Sequence, residues 1–263
     1  MKKTIYGILL WTLGGLVFGC ASSPTQLKKT LEDHPEILVN AIEKHPELIF
    51  PAIQEASQRN DAILQEQADK NEANRVVKDL ANPLKPILAE GRAYRGNKDA
   101  PILIVEYSDF QCPYCGKGFE TMKQVQKEYP GKVRFLFKNL PLSFHPLAMP
   151  AAKRFEAIVL QSPEKAYKYH DTIFSHQNKL SADGEAYMDQ VAKSLGVNMA
   201  KMKKDMEGEV VTGRIQADMQ EAKKFNIEGT PGFIVNGVSM RGAYPFSHFK
   251  EIIEKTTAKK GSS

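Results

Sequence analysis

Cysteine is scarce in this sequence. Only Cys20, Cys112 and Cys115 occur, so no second thiol pair exists, and no histidine stands near Cys112 and Cys115. Two thiols are half of a structural zinc site, so a zinc or copper centre lacks its donors and no metal is expected. A membrane-spanning run is also missing. The N-terminal apolar stretch from Ile5 to Phe18 is shorter than the ~20 residues a spanning helix takes. The net charge of +5 comes without a concentrated basic tract, so a nucleic-acid partner is not implied. What remains is an ordinary globular composition, 42% hydrophobic and 25% charged over 263 residues, at a length suited to one or two domains.

The odd cysteine belongs to the N-terminus. Lys2 and Lys3 precede the short apolar core, and Gly19-Cys20-Ala21 follows it, the layout of a secretory signal over residues 1–19. The end, Leu16-Val17-Phe18-Gly19-Cys20, resembles a bacterial lipoprotein lipobox, with Phe18 where a small residue is usual. The resemblance implies that Cys20 is lipidated and becomes the mature N-terminus. The chain would then be anchored to a membrane of the cell envelope and face the periplasm. The alternatives are an ordinary cleaved signal or a retained anchor. In an exported chain Cys112 and Cys115 are left as a pair in an oxidising compartment.

Residues 20–82 read as a helical extension. After a polar tether at Ala21–Gln26, His34-Pro35-Glu36 is echoed eleven residues later by His45-Pro46-Glu47. Each opens an apolar helical segment with proline in the first turn. One stripe is Ile37, Leu38, Ala41 and Ile42; the next is Leu48, Ile49, Ala52 and Ile53. Ser57 to Lys78 is polar and helix-favouring, like a semi-rigid stalk. Short apolar helices need a partner surface. The expectation is a homo-oligomer formed through residues 27–80, the alternative being packing on the main domain. The two histidines lack metal-ligand spacing and read as helix-start residues.

Asn82-Pro83 ends the stalk, and the loop Gly91–Pro101 leads into the apolar run Ile102–Tyr107, a buried strand. Next comes Cys112-Pro113-Tyr114-Cys115, followed by Phe119, Met122 and Val125 at helical spacing. Pro113 suits the first helical position, which places Cys112 at the N-cap and Cys115 about one turn in. The helix N-terminus favours a thiolate there. Glu106 stands six residues before Cys112 inside the apolar strand, a costly place for a carboxylate unless it works or is paired. Val133–Phe137 alternates as a second strand, so a parallel crossover is expected. From about residue 145 to 225 the pattern is helical: Ala151–Leu160, Ala166–Ser175, Tyr187–Leu195, Met199–Met206 and Gly213–Phe225. Strands return after Gly229-Thr230-Pro231-Gly232, with Asn236-Gly237 as a hairpin turn. A closing helix carries Phe246, Phe249, Ile252 and Ile253. The polar tail is expected to fray from Thr256 and to be flexible over residues 259–263.

This set of elements, over roughly Ala100–Lys255, resembles the DsbA-like branch of the thioredoxin fold. The resemblance implies an α/β thioredoxin domain over residues 83–258 with an inserted helical subdomain at about 145–225. It also implies a thiol–disulfide oxidoreductase with no cofactor beyond its redox-active disulfide. Cys112 would be the exposed nucleophile and Cys115 the buried resolving thiol. Pro231 would be a cis-proline facing them, with Pro113, Tyr114 and Thr230 on the substrate side. Glu106 would be a buried acid that moves the proton of Cys115, with Lys138 as its partner. Substrates would be exported proteins carrying thiols or disulfides, and a membrane redox partner would recycle the enzyme. Disulfide formation is the expected direction. Oligomeric isomerase or reductase activity is the first alternative, and a copper- or zinc-binding or chaperone-like lipoprotein the second.

Overall fold

The computed structural model describes residues 24–260, with side chains through residue 258. The signal, Cys20 and the last three residues lie outside the described residues. The chain divides into two compact units between Gln67 and Ala68.

The first unit is helical. α1 (Pro24–Asp33) begins inside the stretch that reads as a tether. α2 (Glu36–Lys44) and α3 (Pro46–Ala81) begin at the two His-Pro-Glu repeats. His34 Nδ1 lies 3.0 Å from Glu36 and His45 Nδ1 3.7 Å from Glu47, so both rings serve the helix starts. α3 does not stop after its apolar stripe; it continues through the polar stretch with Pro51 inside it. The apolar side chains remain outside: Leu38 is 51% exposed, Leu48 67% and Ile53 56%.

The second unit is built on five strands: β1 (Tyr94–Arg95), β2 (Ile102–Ser108), β3 (Val133–Asn139), β4 (Gly232–Val235) and β5 (Val238–Arg241). Their order is β1-β3-β2-β4-β5. β2 and β3 are parallel, as the strand–helix–strand order predicts, and the other pairs are antiparallel. β1 lies in the segment read as a loop; two residues carry no detectable period, and only pairing with Leu136 and Phe135 makes them a strand. Both faces of the central pair are covered, which is why its sequence is nearly all apolar. Val105, Tyr107, Leu136 and Ile234 pack with Ala222 and Ile227 on one face. Ile104, Phe135, Phe137 and Phe233 belong to the larger core on the other.

α4 (Pro113–Glu128) follows β2. Between β3 and β4 lies the helical insertion: α5 (Ala148–Val159), α6 (Pro163–Ser175), α7 (Gln177–Ser194), α8 (Met199–Met206) and α9 (Glu209–Lys224). Five helices were expected there. α7 starts about ten residues before Tyr187, kinked at Gly184, a break its sequence period does not span. Local caps set two starts: Ser162 accepts from the Lys165 N–H and Asn198 from the Lys201 N–H. At the β4–β5 turn Asn236 and Gly237 both take positive φ, 48° and 93°, as a two-residue hairpin requires. α10 (Phe246–Lys260) packs Phe249 edge-on to Phe233 at 4.9 Å. It runs past the expected fraying point, with the Thr256 and Thr257 hydroxyls bonded back to the Ile252 and Ile253 carbonyls.

Candidate active site

Cys112 caps α4 in an extended conformation with Pro113 at the first helical position. The first turn closes onto it: the Cys115 N–H donates to the Cys112 carbonyl at 3.0 Å. Both thiols are free. The Cys112 thiol donates to the Thr230 carbonyl at 3.5 Å, and the Thr230–Pro231 bond is cis. The loop therefore sits directly over the nucleophile. This corrects one expectation: Cys112 is not openly exposed but only 5% accessible, against 0% for Cys115. α4 can approach Pro231 because residue 118 is glycine; a Cβ there would stand 3.2 Å from both Pro231 Cγ and the Phe233 ring. Tyr114, between the cysteines, is 59% exposed, with Lys117 Nζ 5.0 Å from its ring centre.

The two sulfurs are electrostatically unlike. The Cys112 thiol is pushed down to about 5, first by the hydrogen bond from Cys115. Thr230 and the backbone N–H groups of Cys115 and Tyr114 lower it further, against burial. Cys115 is raised well above the ordinary range, mainly by burial, then by Cys112 and by the charge of Glu106. A thiolate at Cys112 and a protonated Cys115 are thus the favoured pair near neutral pH.

Glu106 is 1% exposed, and burial pushes its carboxyl up to about 8. The Ser108 hydroxyl and Arg95 pull it the other way. Lys138 is not its partner. Lys138 forms an ion pair with Glu221 and donates to the Ile87 carbonyl at 2.9 Å. The register explains this. Glu106 is paired with Phe137 and Tyr107 with Lys138, so Lys138 shares the opposite face with Tyr107, whose hydroxyl also donates to Glu221.

Other groups hold the cysteine loop. Asp109 accepts from the Gln111 N–H at 2.7 Å and the Leu142 N–H at 2.9 Å, and contacts His145 Nδ1 at 2.8 Å; its own N–H donates to Cys115 Sγ at 3.4 Å. Gln177, the first residue of α7, donates from Nε2 to the Phe110 and Cys112 carbonyls, both at 2.9 Å. The insertion thus pins the loop that presents the thiols. Sequence reasoning missed Ser108, Asp109, His145 and Gln177. Ser108 and Asp109 stand between the apolar strand and the cysteine motif, close enough to be visible; nothing local marks His145 or Gln177.

The family model described as "Thioredoxin" matches residues 89–255. Among curated proteins, the "Na(+)/H(+) antiporter NhaA 3" of Salinispora tropica is 32% identical over 173 residues, 65% of this chain but 25% of that protein. The chain thus spans about a quarter of the curated relatives it matches. Oxidised BdbD from Bacillus subtilis is 25% identical, with a TM-score of 0.57 over 66% of this chain and 96% of that one. The thiol–disulfide exchange protein alpha-DsbA2 from Wolbachia pipientis shares the fold at 18% identity, with a TM-score of 0.58 over 72% of this chain and 97% of that one. Among the described residues no helix is long and apolar enough to cross a membrane.

Proposed function

The chain belongs to the thioredoxin family, and we propose that it is a DsbA-like thiol–disulfide oxidoreductase that forms disulfides in exported proteins through Cys112 and Cys115. The observation that carries this reading is the inequality of the sulfurs: Cys112 pushed down to about 5 and Cys115 raised. A stabilised Cys112 thiolate is a good leaving group and favours the reduced enzyme, so the disulfide form is oxidising. A substrate thiolate attacks Cys112 Sγ, the Cys112–Cys115 bond breaks, and Cys115 leaves with the electron pair and takes a proton. A second substrate thiolate then attacks the substrate sulfur of the mixed disulfide. The substrate disulfide forms, and Cys112 leaves as its thiolate. The substrate loses two electrons and the enzyme gains them. Glu106 serves Cys115. Pro231 and Thr230 line the cleft where an extended substrate lies beside the thiols, flanked by Pro113 and Tyr114. A membrane redox partner reoxidises the pair.

Lipidation of Cys20 would hold this domain at a membrane of the cell envelope, facing the periplasm. The helical extension supports self-association, because Leu38, Leu48 and Ile53 are each more than half exposed. That observation favours a second reading, an oligomeric isomerase with several clefts around one substrate. The boundary proposed for the extension moves from residue 82 to Gln67, since Asp79 accepts from the Ser239 N–H at 2.9 Å within the second unit.

Equilibration with glutathione tests the direction. A potential near about −120 mV agrees with an oxidase, and one near about −270 mV overturns it in favour of a reductase. Refolding scrambled ribonuclease with the full chain and with a chain lacking residues through Gln67 tests the second reading. Isomerase activity lost only on truncation supports it; equal activity removes the role of the extension.

A further inference from the structure

Glu106, Ser108 and Cys115 are all buried at the end of β2 and the start of α4. On β2, residues 106 and 108 point to the same face of the sheet. Both are 1% exposed, and Cys115 is 0%. The Asp109 N–H bond to Cys115 Sγ at 3.4 Å brings that sulfur against the backbone joining Ser108 to Asp109. Glu106 Oε1 and Ser108 Oγ are both buried and neither has a hydrogen-bond partner. A buried polar atom left open in this way needs an explanation.

His170 on α6 is the other buried titratable group on this side, its ring 4.7 Å from that of Phe137 and its Nε2 without a partner; Arg95 and Tyr167 are committed elsewhere. Arg95, from β1, donates to Asp171 at 2.7 Å and to the Tyr167 carbonyl. The Tyr167 hydroxyl, from α6, donates to the Ala93 carbonyl at 2.9 Å. Lys138 faces the other side of the sheet with Glu221. Phe137 and Phe233, the register partners of Glu106, are apolar. Ser108 acts on both groups: it lowers the carboxyl of Glu106 and the thiol of Cys115. A hydroxyl carries one donor and two acceptor sites, so it can take a proton from one neighbour while giving its own to the other.

We propose that the Ser108 hydroxyl is the positioning residue that links Glu106 to Cys115 and passes the proton between them. The assignment rests on the thiol–disulfide exchange reading above and adds a residue to it. When a substrate thiolate attacks Cys112, the Cys112–Cys115 bond breaks and the electron pair goes to Cys115 Sγ. The Ser108 O–H gives its proton to that sulfur and receives the proton of the Glu106 carboxyl. No redox change occurs at serine or glutamate. The proton released when the second substrate thiol ionises restores the carboxyl. Below about pH 8 the carboxyl holds its proton and the relay is loaded; above it, the relay is empty.

The test uses the full-length oxidised protein and a peptide with a single thiol. Mixed-disulfide formation is followed by quenched-flow mass spectrometry, with rates corrected for ionisation of the peptide thiol. Wild type is expected to show a falling limb near pH 8. Ser108→Ala should lose that limb and react about tenfold more slowly at pH 7, less than the ~10² of a direct general acid. Ser108→Thr, which keeps the hydroxyl, should restore both. Glu106→Gln should match Ser108→Ala, and the double variant should be no slower than either. A Ser108→Ala protein with the wild-type rate and limb overturns the relay, and so do effects that multiply in the double variant. If Ser108→Ala does not fold, the threonine variant alone decides: loss of the limb there overturns the assignment. Wild type that forms no mixed disulfide sinks the exchange reading itself, a result distinct from failure of the relay.

Discussion

Lys138 pairs with Glu221 and not with Glu106, because Tyr107↔Lys138 and Glu106↔Phe137 are the register pairs of the parallel strands. The lysine and the active-site acid therefore lie on opposite faces of one sheet. Glu221 also accepts from the Tyr107 hydroxyl and the Ile87 N–H. This buried set ties α9 of the insertion to β2, β3 and the segment before β1. Lys138→Met leaves Glu221 without its cation and should cost about 3–5 kcal/mol, while Lys138→Met with Glu221→Leu should recover most of that. Denaturant midpoints of the two variants check this, and thiol chemistry at Cys112 should change little in either.

The Cys112 thiolate gives a direct readout. Its absorbance near 240 nm should titrate with a midpoint near 5 in the reduced protein. Because the Cys115 thiol is the largest cause of the depression, Cys115→Ala should move the midpoint upward. A midpoint unmoved by that change would show that the helix start, not the second thiol, sets the acidity.

Glu106 predicts a slope of stability with pH. Its folded-state carboxyl is raised from 4.5 to about 8, so the native state holds a proton that the unfolded chain releases. The stability this proton contributes is complete below about pH 4.5 and is lost as pH rises through 8, at roughly 1.4 kcal/mol per pH unit between. In the oxidised protein, where neither cysteine titrates, Glu106→Gln should remove that part of the slope. Urea midpoints at pH 5, 7 and 9 check it: the variant should gain on wild type as pH rises.

Gly118 predicts a steric effect on the cleft. Gly118→Val forces α4 against Pro231 and Phe233 and should cost about 1–3 kcal/mol. Alkylation of Cys112 by a small reagent should persist, while exchange with a peptide falls, because the Thr230–Pro231 loop is displaced from the substrate path. Equal losses in both assays would argue for general unfolding instead, which the midpoint measures separately.

Much of the site was legible because its chemistry is local. The spacing of Cys112 and Cys115, Pro113 at the helix start and the Asn236-Gly237 turn each depend on a few adjacent residues, and the structure has each in that place. Glu106 was legible as an anomaly, a carboxylate in an apolar strand. β1 was not, since two residues carry no period, whereas the run of α3 through its polar stretch was, because that stretch is helix-favouring.

The chain alone determined the order of elements, the thiol pair and the helix that presents it, because hydrophobic period, caps and turn residues act over a few positions. Tertiary structure decided what those groups meet. Strand register sent Lys138 to the far face, and packing of the insertion brought Gln177 to the cysteine loop across 65 residues. The burial of Cys112 beneath Thr230 likewise follows from a contact distant in sequence, where closure of the fold, not local preference, selects the neighbour.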